Sequence, residues 1–349
     1  MKGWRSLLIG MMSFVLFLAS AQGSRGLISD REASAGNQFE AISYWYDLAW
    51  HWRKPITISN SFGSLSNYQV KVVLNTQELI AAGKLQPDGD DLRFTDADKI
   101  TEIPYWIESG INTPSTVIWV RVPSLPVGNH TIYVYYGNPA ATQGSNGSAT
   151  FEFFDDFEDG INSWMVVEGA WTESSGIMIA ERGTPPEDRA KRTFVDPGND
   201  YAYEYRMKIW DLDGNGYPWG GLEIKSSWVD VPNYDTGYFG CSYASGGTSV
   251  SNKMKLWRAN GGIAQLGSTA EATIEQDVWY DYRIVYHEGN LEYYLNGTLK
   301  VSSYDFTYPT GEVVRLIKNN DDASVAWDDV RIRKYISPEP VVTEIGLEE

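Results

Sequence analysis

The sequence predicts an all-β protein built from two antiparallel β-sandwich domains. Three observations lead there. At 349 residues the chain exceeds the usual size of one domain, so two cores are expected. Short period-two segments rich in Val, Ile, Thr, Tyr and Trp recur between turn residues, as half-buried antiparallel strands require. Helical periodicity is confined to residues 76–84. Runs of short strands without intervening helices imply sandwiches or jelly rolls rather than a parallel sheet with crossover helices.

The elements follow in order. Lys2 and Arg5 precede an apolar stretch over residues 7–18 and the small residues Ala19, Ser20 and Ala21, the pattern of a secretory signal peptide over residues 1–21. The apolar stretch falls short of the roughly 20 residues of a membrane span, and no other segment of the sequence could supply one. A secreted or cell-surface protein without a membrane span after cleavage is expected. Losing Lys2 and Arg5 takes the formal charge from −18 to −20. So acidic a chain lacks the basic patches that nucleic acid or anionic lipid demand, while its many carboxylates are available to divalent cations.

Residues 22–43 are small and polar and read as a flexible leader. The first sandwich occupies residues 44–140. In it, segment 54–59 places Ile56 and Ile58 on one face, and segment 68–74 does the same with Val70, Val72 and Leu74. Segments 115–122 and 131–136 alternate likewise. Residues 141–150, rich in Gly, Ser and Asn, form a linker. The second sandwich occupies residues 151–335, with its clearest strands at 201–209, 221–225, 253–257, 279–286, 291–295 and 325–333. Asn296-Gly297 marks a tight hairpin between two of its strands. Residues 336–349 read as an acidic tail.

Several spaced motifs carry a resemblance. Trp52-Arg53-Lys54-Pro55-Ile56, Asp90-Asp91-Leu92-Arg93-Phe94, Pro104-Tyr105-Trp106, Ile118-Trp119-Val120-Arg121 and Tyr135-Tyr136-Gly137-Asn138-Pro139 make the first block resemble the domain of unknown function 2341, over roughly residues 44–140. That family implies export and no established activity. The second block resembles the concanavalin A-like lectin/glucanase jelly rolls of the laminin-G type. Its opening Phe154-Asp155-Asp156-Phe157, its Trp279–Gly289 and Leu291–Gly297 segments, and its closing Val325-Ala326-Trp327-Asp328-Asp329-Val330 carry that likeness. The superfamily includes lectins, adhesion modules and glycosidases, so fold alone does not choose among them.

Catalysis is not expected. A retaining glycosidase needs two carboxylates about 5 Å apart, and glucanases of that superfamily carry theirs on one strand as Glu-x-Asp-x-(x)-Glu. Here Glu275 and Asp277 begin such a run, and the closing acid is missing. No Gly-x-Ser-x-Gly elbow or His-Glu-x-x-His occurs, and His51, His130 and His287 are scattered. Cys241, the single cysteine, excludes an intrachain disulfide and reads as a buried strand thiol.

Structural Ca²⁺ is the expected cofactor. Asp211, Asp213 and Asn215 open like a calcium loop, against the alternative of a polar turn. Asp328 matches the closing-strand aspartate that holds calcium in the resembled glucanases. By alternation it shares the inward face of Val330 and Ile332, with Asp155 or Asp156 as partner. The alternative there is an aspartate capping backbone amides. Trp219, Trp228, Tyr234 and Tyr238 form the candidate ligand surface, since sugars stack their apolar faces on aromatic rings. Asn129, Asn146 and Asn296 stand in glycosylation acceptor triplets.

These readings converge on an exported binding or adhesion protein that recognises a glycan or a surface protein through its second domain. Two alternatives stay open. One is a structural subunit of a surface layer or filament, self-associating by strand addition through residues 36–50. The other is a glycoside hydrolase with atypical acids.

Overall fold

The computed structural model describes residues 27–28, 43–182, 187–193, 198–210, 218–226, 236–245, 251–311, 313–319 and 323–349. The expected signal peptide and most of the leader lie outside these residues. So do Asp211, Asp213, Asn215, Trp228 and Tyr234.

A short pair, β1 (Leu27–Ile28) with β2 (Ser43–Tyr44), stands before the first domain. The residues after it pack locally. The Trp45 ring lies 5.4 Å from that of Tyr135, and the Arg53 guanidinium stands 4.4 Å from it. Residues 45–50 thus pack on their own domain.

The first domain is a sandwich of two antiparallel sheets. One contains β3 (Trp52–Asn60), β9 (Gly128–Tyr136), β5 (Arg93–Thr95) and β6 (Glu102–Ile103), in that spatial order. The other is β4 (Leu65–Leu74), β8 (Thr116–Leu125) and β7 (Tyr105–Ser109). The core between them holds Ile56, Ile58, Val70, Val72 and Leu74, the residues that alternation assigns inward. The helix α1 (Thr76–Ala81) closes one end, with Asn75 as N-cap accepting from the Glu78 amide.

The expected acidic tail is a strand of this domain. The C-terminal β25 (Val341–Ile345) pairs antiparallel with β3 and completes the larger sheet at its edge. Ile336, Val342 and Ile345 pack on the first core, and Glu349 meets the buried Arg53 at 2.5 Å. The acidic residues here are counter-ions of buried and half-buried bases. A segment with so few apolar residues reads as a tail until its partner strand is known.

The expected linker is ordered as well. Asn146 caps the helical turn α2 (Gly147–Thr150), which packs between the domains. A Cβ at Gly147 would stand 2.4 Å from the Phe154 ring, so a side chain here would have to displace that ring.

The second domain is a jelly-roll sandwich, and the chain is all-β in both halves. One sheet runs β12 (Trp171–Glu173), β13 (Met178–Ala180), β24 (Ser324–Lys334), β15 (Asp200–Trp210), β20 (Tyr280–His287), β21 (Asn290–Leu295) and β22 (Thr298–Tyr304), with β10 (Phe153–Asp155) also on β24. The other runs β11 (Met165–Glu168), β14 (Glu187–Thr193), β23 (Val313–Asn319), β16 (Trp219–Ser226), β17 (Gly237–Tyr243), β18 (Lys253–Ala259) and β19 (Ile263–Glu271). Between the sheets lies a core with Tyr203, Tyr205, Leu222, Tyr238, Trp327, Val330 and Ile332. Asn296 and Gly297 both take positive φ, 47° and 74°, as the hairpin turn requires.

The four sheets stack. The outer face of the β4–β8–β7 sheet lies against the outer face of the sheet containing β15 and β24. Glu204 is the centre of this junction: its two carboxylate oxygens accept from Arg331 Nε at 2.8 Å and Arg333 Nε at 3.0 Å. Arg331 also reaches Glu108 of the first domain, and Arg333 lies 4.7 Å from the Trp119 ring. Trp106, Trp119, Phe151 and Phe154 form an aromatic cluster beside them. Junction charges this buried must be paired, and these are.

Candidate functional site: the outer face of the second domain

With one outer face of the second sandwich covered by the first domain, the outer face of the β16–β17–β18 sheet carries the chemistry. Alternation sets its membership. Leu222, Ile224 and Tyr238 point to the core, so Trp219, Glu223, Phe239, Cys241, Tyr243, Lys255 and Trp257 point away from it. A separate apolar cluster results, made of Trp219, Phe239, Cys241, Tyr243, Ala259 and Ile317, with Trp257 against it.

Its rings form a row across three strands. Trp219 and Phe239 stack with centroids 6.1 Å apart and planes 15° apart, and Phe239 and Trp257 do so at 6.2 Å and 16°. Register explains the first contact. Trp219 lies opposite Tyr243 and Glu223 opposite Phe239, so the two stacked rings meet diagonally across the Gly221–Cys241 pair. A Cβ on Gly221 would lie 2.0 Å from the Gly240 carbonyl oxygen, which leaves no room for a side chain between them. Trp219, Phe239 and Tyr243 are buried, and Trp257 is half-buried at the end of the row. Trp257 Nε1 donates to Cys241 Sγ at 3.2 Å. Burial pushes the Cys241 thiol up to about 12, so it is inert as a nucleophile.

Polar groups border the row. Arg315 Nη1 donates to Glu223 Oε1 at 3.0 Å, and both side chains are buried. Lys255 Nζ stands 5.2 Å from the Tyr243 ring and 5.4 Å from that of Trp257. Trp257 and Lys255, both half-buried at one end of the row, are the part of it that an amphipathic, hydroxyl-rich ligand can reach.

Of the expected ligand surface, the structure places Trp219 in this row. Tyr238 does not belong to it. It points into the core one residue out of phase, and its hydroxyl donates to Asp305 Oδ1 at 2.9 Å. Phe239 and Trp257 take its place. Period-two reading of β17 and β18 would have found both, because Phe239, Cys241 and Tyr243 share a face.

Of the metal candidates, Asp328 lies near Asp156: burial, then the charges of Asp329 and Asp156, push its carboxyl up to about 7 against the pull of Arg206. Asp155 lies opposite Val330, and its oxygens are already occupied. Oδ1 accepts from the Phe157 amide at 2.9 Å; Oδ2 accepts from Trp164 Nε1 at 2.9 Å and from Arg192. Asp328 faces outward, against the alternation argument. The register of β24 against β15 slips between Arg331 and Asp328, where Asp329 takes a φ of 51°. The extra residue of this bulge shifts the phase by one, turning Asp328 away from Val330 and Ile332. Asp328 Oδ1 then accepts from the Asp329 amide at 2.8 Å, and Oδ2 from Arg206 at 3.1 Å. Both aspartates cap backbone amides. Asp156 lines a separate junction cavity with Asp88, Asp90 and Glu158. Among the described residues no three His, Cys, Asp or Glu side chains converge as a metal site.

Glu275 and Asp277 lie in a turn rather than on a strand. Asp277 has a φ of 56° and pairs with Lys208 at 2.7 Å. Asn129, Asn146 and Asn296 are all exposed. The Asn146 and Asn296 amide oxygens accept from the Ala149 and Asp281 amides.

The family model of a domain of unknown function, DUF2341, matches residues 88–174. The match starts later than residue 44 and runs through α2 into the second domain, so it covers the domain junction rather than one sandwich. No curated protein matches the chain. Solved structures similar to it include a carbohydrate binding module, CBM66, from Bacillus subtilis, at 18% identity, covering 49% of this chain and 96% of that one with a TM-score of 0.39. A protein of unknown function with a galectin-like fold, also from Bacillus subtilis, matches at 10% identity over 54% and 96% with a TM-score of 0.41. A Bacillus licheniformis beta-glucanase matches at 14% identity over 52% and 97% with a TM-score of 0.38.

Proposed function

We propose that this is an exported glycan-binding protein that holds its ligand, without cleaving it, on the outer face of the β16–β17–β18 sheet. The observation that carries the reading is Trp257, the half-buried end of the Trp219–Phe239–Trp257 row. Three near-parallel rings on the side of a sheet facing away from its core serve no purpose in packing the two sheets together. A pyranose presents a face of C–H groups that stacks on such rings, while its hydroxyls need charged or polar partners at the edge. Lys255, half-buried beside Trp257, supplies such a partner. The non-catalytic part of the proposal is supported by Glu223, whose carboxylate is ion-paired with Arg315, and by Glu275 and Asp277, which sit in a turn. Export is supported by the charged, apolar and small-residue order of residues 1–21. No helix among the described residues is long and apolar enough to cross a membrane.

Binding to a glycan array, with and without chelator, tests the reading on the wild type and on Trp257→Ala. Stacking of one ring contributes about 0.5–1.5 kcal/mol, so the variant should bind roughly two- to tenfold more weakly at unchanged secondary structure. A wild type that binds no glycan under either condition sinks the proposal.

A further inference from the structure

The domain junction contains a second cavity, of about 500 Å³, lined by charges of both signs. Five of its side chains are cationic (Lys71, Arg206, Arg283, Arg331 and Arg333) and four are carboxylates (Glu108, Glu204, Asp281 and Glu339). Most of these groups are spent on each other. Arg331 takes Glu204 and Glu108, Arg333 takes Glu204 and Glu339, and Arg206 takes Asp281 together with Asp328 and Asp329 behind it.

Two cations are left over. Arg283 lies with its guanidinium 4.0 Å over the Tyr294 ring, and its nearest carboxylate contact is a 3.8 Å approach to Glu339. Both Glu339 oxygens already accept from Arg333. The Arg283 Nε is fully buried and has no hydrogen-bond partner. That atom is closed to the cavity, so a ligand there meets the exposed remainder of the guanidinium. Lys71 is exposed at the same cavity, 6.0 Å from the Trp119 ring, and no ion pair to it occurs among the described residues.

We propose that this junction cavity is an oxyanion site, in which Arg283 and Lys71 bind the carboxylate or sulfate group of a small polar ligand. The planar guanidinium, held by stacking on Tyr294, offers a donor of fixed direction, and the flexible ammonium adds a point charge. The remaining lining is polar, including Gln69 and Asn296, and suits a hydroxylated body such as an acidic sugar. The site lies on the opposite sheet of the second domain from the aromatic row and is independent of it.

Isothermal titration of the full chain with sodium sulfate, D-glucuronate and neutral glucose tests this. Sulfate and glucuronate should bind, more weakly as salt rises, and glucose should not bind at this site. Arg283→Gln should weaken oxyanion binding roughly tenfold or more, and Lys71→Gln several-fold. Arg283→Lys, which keeps the charge and loses the planar guanidinium, should fall between and guards against a folding defect in the glutamine variant. Trp257→Ala should leave oxyanion binding intact, which separates this site from the aromatic face. Absence of oxyanion binding, or binding unchanged in both Arg283 variants, overturns the proposal. So does binding that is lost in Trp257→Ala and kept in Arg283→Gln.

Discussion

Glu204→Gln should cost this protein several kcal/mol at neutral pH and much less in acid. Glu204 is buried at the junction, and burial by itself would raise its carboxyl. The attraction of Arg333, then Arg331 and Arg283, overcomes that and holds it at about 2 instead of 4.5. A carboxylate held down this far contributes roughly 3 kcal/mol to folding. That agrees in size with the roughly 3–5 kcal/mol expected when one member of a buried ion pair is removed and its partners stay buried. The sign follows from the lowered value. The stabilisation is fully present above the unfolded value near 4.5 and is lost as pH falls toward 2. Urea denaturation followed by tryptophan fluorescence is a suitable assay, because Trp119 stands 4.7 Å from Arg333. The difference between wild type and variant should be about 3–5 kcal/mol at pH 7 and shrink below about 2 kcal/mol by pH 3. A variant within about 1 kcal/mol of wild type at pH 7 would refute the reasoning. So would a difference that stays constant from pH 7 to pH 3.

Two further outcomes are expected. Truncation after Pro340 removes β25, exposes the edge of β3 and strips the buried Arg53 of Glu349; it should destabilise the first domain by about 3 kcal/mol or more. Calorimetry of the truncated chain checks this, and an unchanged melting profile would show the strand to be dispensable. Asp155→Ala leaves Trp164 Nε1 and the Phe157 amide without their acceptor and should cost about 2–3 kcal/mol equally in calcium and in chelator. A loss confined to calcium-containing buffer would place a metal at Asp155.

How far the fold was legible depends on whether an element's partners are near in sequence. Strands β3, β4, β8 and β9 announce themselves by alternation, since each buries one face whatever lies beyond it. The β21–β22 hairpin needs only Asn296 and Gly297 to turn. The candidate site was half legible: Trp219 was found and Phe239 was not, because Tyr238, Phe239 and Tyr243 are chemically alike and only strand phase separates them. Asp328 was assigned to the wrong face for a related reason. One extra residue at Asp329 reverses the phase, and the bulge is set by how β24 fits β15 rather than by a local sequence signal.

Local residue order by itself therefore determined the class of fold, the two sandwich blocks and most strands, because period-two burial is a property of each segment alone. Tertiary structure decided the rest. It made a strand of the apparent tail by pairing Val341–Ile345 with Trp52–Asn60 across nearly the whole chain. It buried Arg331 and Arg333, which alternation alone would leave in solvent, by laying the first domain over their face. Pairings this remote depend on what each partner leaves exposed, and no local pattern encodes that.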